Sequence, residues 1–425
     1  MKDRWLIISY FANMDAMAPA HHIDDKLIFF REKGIEATLI SSPCGSRNRE
    51  LRHIRIFSPA PSGIRYEVRH FLRRVTARRF WFKFWEFALL LPVYPLYFLE
   101  KIFLRLDSTW SWFILASVAG TIRCLFSRPS VIYSTGGPVS GHIAAMIISK
   151  ITGIPYIAEF QDPLNFQYAA PGKFERRYIH RVEQAIFRTA KAVVFLTEKA
   201  AETARERNAV CPEIAVIYPG ATPPEKMGPF QRAAAFRIAH FGSLGGSRNL
   251  THLLRALAGL CKEQPGLVDT IRLHLVGNNA RDVVKEIEAF GHRELIATYG
   301  KLRRQDSIAM MQTVDLLLLI QNTDAVSVET IPSKVYEYLH TGRLILGLVY
   351  RNRELRAMLE GMGHVVVEAD DEAAIRAALQ RCVEQWNKGP LMPVAITSPY
   401  TVGRAIDEMI SLTDPVSRMS ERART

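Results

Sequence analysis

Two glutamates, Glu329 and Glu337, stand eight positions apart in VETIPSKVYEYLHTG (328–342), with Pro332, Ser333, Lys334 and Tyr336 between them. The apolar runs VDLLLLI before and RLILGLV after read as buried strands, so the segment is a strand-loop-helix-strand passage. Pro332 suits a first helical turn, where no backbone donor is needed. Ser333 and Lys334 then offer donors to whatever lies above the helix. Glu337, one turn deeper, can accept hydrogen bonds from a ribose diol, and Glu329, ahead of the helix, faces a ligand cleft. The plainer alternative is a Lys334–Glu337 ion pair at i, i+3 on a solvated face, with Tyr336 and Tyr338 in the core.

A second segment complements the first. In HFGSLGGSRNLTHLLRAL a strand ends at Phe241, and a loop carrying Gly242, Ser243, Gly245 and Gly246 leads to a helix beginning near Asn249. Glycines let backbone N–H groups approach a phosphate, a helix N-terminus favours negative charge, and Arg248 adds a cationic fork. Gly-rich turns between strand and helix also occur for purely structural reasons.

A third segment is of another kind. In residues 64–105, Arg65, Arg69 and Arg73 recur at helical spacing with Arg74, Arg78, Arg79 and Lys83, interleaved with Phe71, Phe80, Trp81, Phe82, Phe84 and Trp85. Aromatics at headgroup depth with arginines on anionic lipid would suit a membrane interface. An ordinary amphipathic helix, aromatics inward, is the alternative. RNA could use the same residue types, but no nucleic-acid module accompanies them.

These segments need a frame. Strand-like runs at 5–11, 36–42, 130–135, 155–160, 192–197 and 214–219, then at 237–242, 272–277, 296–300, 315–320, 343–349 and 364–369, alternate with amphipathic helical patterns. That is the signature of parallel α/β structure, and 425 residues suit two doubly wound domains facing across a cleft. The Pro- and Gly-containing stretch 220–230 is the natural linker, so the expected domains are 1–222 and 223–400, with a helix and polar tail over 401–425.

A net charge of +13 favours anionic partners without choosing among them. Five scattered cysteines exclude a disulfide framework or a Cys/His zinc site and fit a reducing compartment. MKDRWLIISYFANMD reads as a first strand, not a signal peptide. The uncharged run 108–122 is 15 residues long and FALLLPVYPLYFL holds two prolines. Both fall short of the ~20 residues of a spanning helix.

In chain order the segments resemble retaining glycosyltransferases of family 4, which have the GT-B fold of two Rossmann-like domains. The Glu329–Glu337 spacing is similar to that family's E-x7-E motif, and IPSKVYEYLHTGRLIL resembles the form found in members that build surface polysaccharides, with Leu344 replacing a later proline. STGGPVSGHIAAMIISKITGIPYIAEFQDPL, VEQAIFRTAKAVVFLTEKAAE and IAVIYPGA are similar to N-terminal-domain segments, and YGKLRRQDSIAMMQTVDLLLL to the base-contacting loop and following helix.

The resemblance implies roles. His142, Glu329 and Lys334 would serve catalysis around the transferred sugar. Gly242, Ser243, Arg248, Asn249, Pro332 and Ser333 would hold the donor diphosphate, Glu337 the ribose, and Lys301 with Leu302 the base. Asp162 and, less directly, His21 would lie on the acceptor side. Three departures are visible: Ser243 replaces the usual arginine, EFQDPL replaces DFRDPW, and FANMDAMAPAHHIDD stands in place of an N-terminal Gly-rich loop.

The expected activity is metal-independent, retaining hexosyl transfer from a nucleotide-diphosphate sugar to a lipid-linked or oligosaccharide acceptor, in surface polysaccharide biosynthesis. No cofactor, metal or nucleic acid is expected. The protein is expected in the cytoplasm, peripheral on the anionic inner face of the cell membrane. The alternatives are a nucleotide-sugar epimerase of the same fold, which needs no membrane face, and a non-catalytic membrane-docked scaffold, which needs no Glu329, Glu337, Lys334 and His142 together.

Overall fold

Strands that are apolar on both faces must be covered on both faces, and in the computed structural model they are, within two parallel sheets. The structure describes residues 3–14, 18–46, 48, 53–76, 78–164, 172–225, 227, 230, 232–391, 393–394 and 397–413. They fall into two compact units, one running to Tyr218 and resuming at Val402, the other spanning Pro219–Thr401.

The first unit begins β1 (Arg4–Ile8), α1 (Ala18–Glu32), β2 (Glu36–Ser41) and β3 (Ile54–Arg55). Four helices follow: α2 (Pro61–Val75), α3 (Arg79–Leu90), α4 (Tyr94–Phe103) and α5 (Trp112–Ser127). The alternation then resumes with β4 (Val131–Gly136), α6 (Val139–Thr152), β5 (Tyr156–Phe160), α7 (Lys173–Thr189), β6 (Ala192–Phe195), α8 (Glu198–Arg207) and β7 (Glu213–Val216). The strand order is β3-β2-β1-β4-β5-β6-β7, so the winding reverses between β1 and β4.

The second unit contains β8 (Phe236–Phe241), α9 (Thr251–Glu263), α10 (Leu267–Thr270), β9 (Ile271–Val276), α11 (Arg281–Ala289), β10 (Ile296–Gly300) and α12 (Arg304–Thr313). It continues with β11 (Leu316–Ile320), α13 (Lys334–Tyr338), β12 (Leu344–Val349), α14 (Arg353–Gly361), β13 (Val365–Glu368) and α15 (Glu372–Lys388). Its order, β10-β9-β8-β11-β12-β13, reverses between β8 and β11. In an open parallel sheet the loops leaving the two strands at such a reversal diverge to opposite faces and leave a crevice for a ligand.

Every expected strand is present within a few residues at its ends; the two-residue β3 is additional. The C-terminal helix is placed differently. The sequence sets 401–425 apart, whereas α16 (Val402–Ser411) packs on α1, and its Val402, Ala405, Ile406 and Met409 join the core of Trp5, Ile23 and Phe30 in the first unit.

The basic-aromatic segment is not one amphipathic element but three helices, α2 to α4. No single described helix is long and apolar enough to cross a membrane, although α3 and α4, bent by 78° at their junction, pass that test as a pair. Their aromatics do not enter a core. Phe80, Trp81, Phe84, Trp85 and Phe87 are exposed, and only Glu86 and Leu90 of α3 are buried.

Candidate functional site

At the reversal point of the second unit, the loop after β8 and the loop after β11 are stitched together. Thr323 donates its backbone N–H (3.2 Å) and its hydroxyl (3.0 Å) to the Ser247 carbonyl, and Ser247 Oγ donates to Asp324 Oδ2 at 2.5 Å. Burial pushes the Asp324 carboxyl up, but hydrogen bonds from Ser247, Asn322 and Ser327 outweigh it and hold the group below its ordinary range.

Lys334, first residue of α13, reaches back to β8. Its Nζ lies 3.2 Å from Nε2 of the fully buried His240, whose Nδ1 donates to the Leu318 carbonyl at 3.0 Å. That fixes the tautomer: Nε2 is the acceptor and the ammonium is the donor. The ammonium rides over Gly242, where a Cβ would fall 2.5 Å from Nζ and would push the lysine end aside. With φ +123°, Gly242 also has a backbone that L side chains rarely adopt.

Burial and the nearby Arg248 guanidinium push the Lys334 ammonium well below its ordinary range, and burial and Lys334 push His240 well below as well. Arg248 is itself lowered by burial, against the pull of Asp324, and its Nε has no protein partner. Among the described residues no carboxylate lies within ion-pair distance of Lys334. Two partly desolvated cations thus converge, with Asp324 acting on Arg248 alone, an arrangement that a bound anion would relieve.

Glu337 does not pair with Lys334; its Oε1 accepts from Arg304 Nε of α12 at 2.7 Å, and both side chains remain partly exposed. Glu329, 9% exposed, follows the 3₁₀ turn Ala325–Val328. Two buried amides clamp its loop. Gln321 Nε2 donates to the carbonyls of Ser327 (2.7 Å) and Thr330 (3.0 Å), and Asn352 Nδ2 donates to the same pair at 2.6 and 3.0 Å.

The Gly-rich loop differs from the expected phosphate cradle. Its backbone donors are largely spent within the unit: Gly242 on Val276, Leu244 on Asn278, Gly245 on Arg248, Arg248 on Gly245 and Gly246 on Asp282. The start of α9 is occupied too, because Leu250 N donates to Glu286 and Thr251 N to the Asn249 side chain. Ser243 is exposed. The positive charge at this crevice therefore comes from Arg248 and Lys334. Pro332 precedes α13, and exposed Ser333 sits at its N-cap without a side-chain capping bond. Lys301 is exposed and Leu302 half-buried just after β10.

In the first unit, His142 lies in the first turn of α6 but points into the core. It is 1% exposed, bonded to Ser134 Oγ at 2.9 Å and packed on Phe160, and burial lowers it to about 4, so it is neutral at pH 7. Beside it runs a buried network in which Glu159 takes Lys26, Tyr133 (2.8 Å) and Thr135 (2.7 Å). Asp162 is exposed beyond β5, and His21 is half-buried in α1. Among the described residues no three His, Cys, Asp or Glu gather as a metal site.

Sequence reasoning passed over His240, Arg304, Gln321 and Asn352. His240 alone carried a signal, a histidine inside an otherwise apolar strand.

Residues 33–220 match the family profile described as a glycosyl transferase 4-like domain. No curated protein matches the sequence. Among solved structures the chain is similar to Anabaena Alr3699/HepE in complex with UDP and glucose, at TM-score 0.61 and 13% identity over 99% of this chain and 100% of that one. The apo lipopolysaccharide outer core galactosyltransferase WaaB matches at 0.58 and 13%, over 96% and 99%. A putative UDP-N-acetylglucosamine 2-epimerase from Listeria monocytogenes matches at 0.56 and 12%, over 97% and 95%. At these identities the likeness is one of fold.

Proposed function

We propose that this chain, whose residues 33–220 match a glycosyl transferase 4-like domain and whose fold is similar to that of HepE, transfers a hexosyl group from a nucleotide-diphosphate sugar to a saccharide acceptor on a lipid carrier, retaining configuration and without metal. The observation that carries the reading is Lys334, an ammonium lodged over Gly242 beside His240, with Arg248 near and, among the described residues, no carboxylate of its own. Negative charge grows on the leaving diphosphate as the glycosidic bond breaks. Preorganised cations stabilise that charge more in the transition state than in the ground state.

In this reading Glu337, oriented by Arg304, takes the donor ribose, and Glu329 on its clamped loop meets the transferred sugar. Lys301 and Leu302 border the base. Gly242 permits the close approach, and Ser243, Asn249, Pro332 and Ser333 shape the diphosphate site. Asp162 and His21 serve the acceptor. Buried and neutral, His142 serves by a neutral hydrogen bond or by packing, not by charge. HepE was solved with UDP-glucose, which makes a uridine donor the first to try.

The acceptor class rests on the helices at residues 61–103, whose outward aromatics and flanking arginines suit an anionic membrane surface. Five free cysteines suit a reducing, cytoplasmic face of that membrane. Together these support a place in surface polysaccharide assembly. An epimerase of the same fold, acting on a free nucleotide sugar, has no use for such a surface.

The test is thermal unfolding with a panel of nucleoside diphosphates and their sugars in EDTA, on wild type and Glu337→Ala. One diphosphate is expected to stabilise wild type, by about 2.7 kcal/mol at a hundred times its Kd, and much less so the variant. No stabilisation by any member would overturn the donor-site reading.

A further inference from the structure

Helices α3 and α4 are built inside out. Of the described residues in α3 only Glu86 and Leu90 are buried, and in α4 none is. Phe80, Phe98, Ile102 and Phe103 are 71%, 60%, 68% and 74% exposed, and Phe84, Phe87, Leu91, Leu96 and Leu99 are exposed with them. Exposed apolar surface of this extent is rare on proteins that meet only water.

Apart from exposed Arg79 and Lys83, the latter 3.3 Å from Glu86 of its own helix, the polar groups turn the other way, onto α2. Glu86 accepts from Arg69 at 2.8 Å, the Arg65 guanidinium sits 4.8 Å from the Tyr97 ring centroid, and Glu100 accepts from Ser62 N at 2.8 Å and Trp110 Nε1 at 2.7 Å. The two helices thus roof α2, with charge satisfied beneath and hydrocarbon above. α2 is itself tied to the loops that follow β1 and β3, since Glu67 accepts from Tyr10 OH at 3.0 Å and Ser58 N at 2.9 Å.

We propose that this roof enters one leaflet of an anionic bilayer as a fixed monotopic insertion, held by its apolar outer face rather than by headgroup charge. The proposal deepens the membrane part of the function above and rests on it. Charge placement selects lipid over another protein: residues 87–99 carry no charge, whereas exposed Arg73, Arg74, Arg78, Arg79 and Arg105 flank the two ends. A second copy of this chain would set those cations against their own kind. Geometry selects insertion over spanning, because both helices are pinned along α2, and Pro92 in the break with Pro95 in the first turn of α4 prevents one straight helix. A helix lying flat with its outer face in lipid sinks by about half to one diameter, ~5–10 Å, against a hydrocarbon core of ~30 Å.

The experiment uses the full chain and vesicles of phosphatidylethanolamine and phosphatidylglycerol. Bound protein should stay with the vesicles through 1 M salt (about a 3 Å Debye length) and alkaline carbonate, and leave only with detergent. Lipids brominated in the acyl chains should quench tryptophan fluorescence, and the quenching should fall several-fold in Trp81→Phe/Trp85→Phe. Phe84→Glu/Phe98→Glu, on exposed positions, should release in carbonate, while Arg73→Gln/Arg74→Gln should slow association yet keep carbonate resistance. Release by salt alone would overturn insertion and leave surface docking standing. Failure to bind vesicles, with dimers in their absence, would overturn both. Nucleoside diphosphate stabilisation, read in detergent on every variant, reports folding and the donor site independently.

Discussion

Lys334 is a cation held where a cation is unfavourable. Burial and Arg248 both oppose its charge, and its near neighbour is the neutral imidazole of His240. Binding sites commonly carry such local cost, which their ligand relieves. Lys334→Met should therefore raise the melting temperature of the free protein by ~2–4 °C while lowering kcat for sugar transfer by roughly 10²-fold or more. Calorimetry and steady-state rates on the same preparation check both signs. A fall in melting temperature would mean that the lysine holds the fold together.

At the scale of elements, the decisive piece is the loop between β11 and α13. Gln321 and Asn352 hold its Ser327 and Thr330 carbonyls, and Asn352 also caps α14 by accepting from Leu355 N at 2.8 Å. Asn352→Ala removes a cap and leaves buried carbonyls short of donors. Urea unfolding should show a loss of about 1–3 kcal/mol. In the proposed reading Glu329, which rides on that loop, meets the sugar while Glu337, which does not, holds the donor, so kcat should fall more than donor affinity. Equal losses of both would place Glu329 outside the reacting centre.

At the scale of the molecule, two properties belong to each unit and not to any one element. The first unit is completed by α16, so a chain ending at residue 401 loses Ile406 and Met409 from the core around Trp5 and Phe30. Such a chain should unfold its first unit at lower temperature while the second unit keeps its own melting temperature, seen as two resolved calorimetric steps. The second property is acid sensitivity. Burial lowers His142 in one unit and His364 in the other to about 4. Both rings are neutral in the fold and take up protons more readily when unfolded, so their stability is complete above ~6.5 and is lost as pH falls toward 4. Unfolding free energies at pH 7.5 and pH 5 should differ by about 2 kcal/mol per ring; no change would remove these two histidines from the account.

Strands such as Leu316–Ile320 were legible in the sequence to within a few residues, and so was the division into two α/β units, because apolar runs and amphipathic periods are local signals that backbone geometry imposes. The loops that end the strands were legible too, since glycine, proline and charge gather there. The partners were not. Lys334 is 94 residues from His240, Glu337 is 33 from Arg304, and α16 returns across the whole second unit to reach α1. Which cation meets which acceptor depends on the sheet order and its reversal between β8 and β11, and no periodicity carries that order. For the same reason the sequence could name the aromatics and arginines of residues 64–105 but not their direction. An aromatic facing outward and one facing a core have the same helical spacing, and only the packing of α3 and α4 on α2 decides between them.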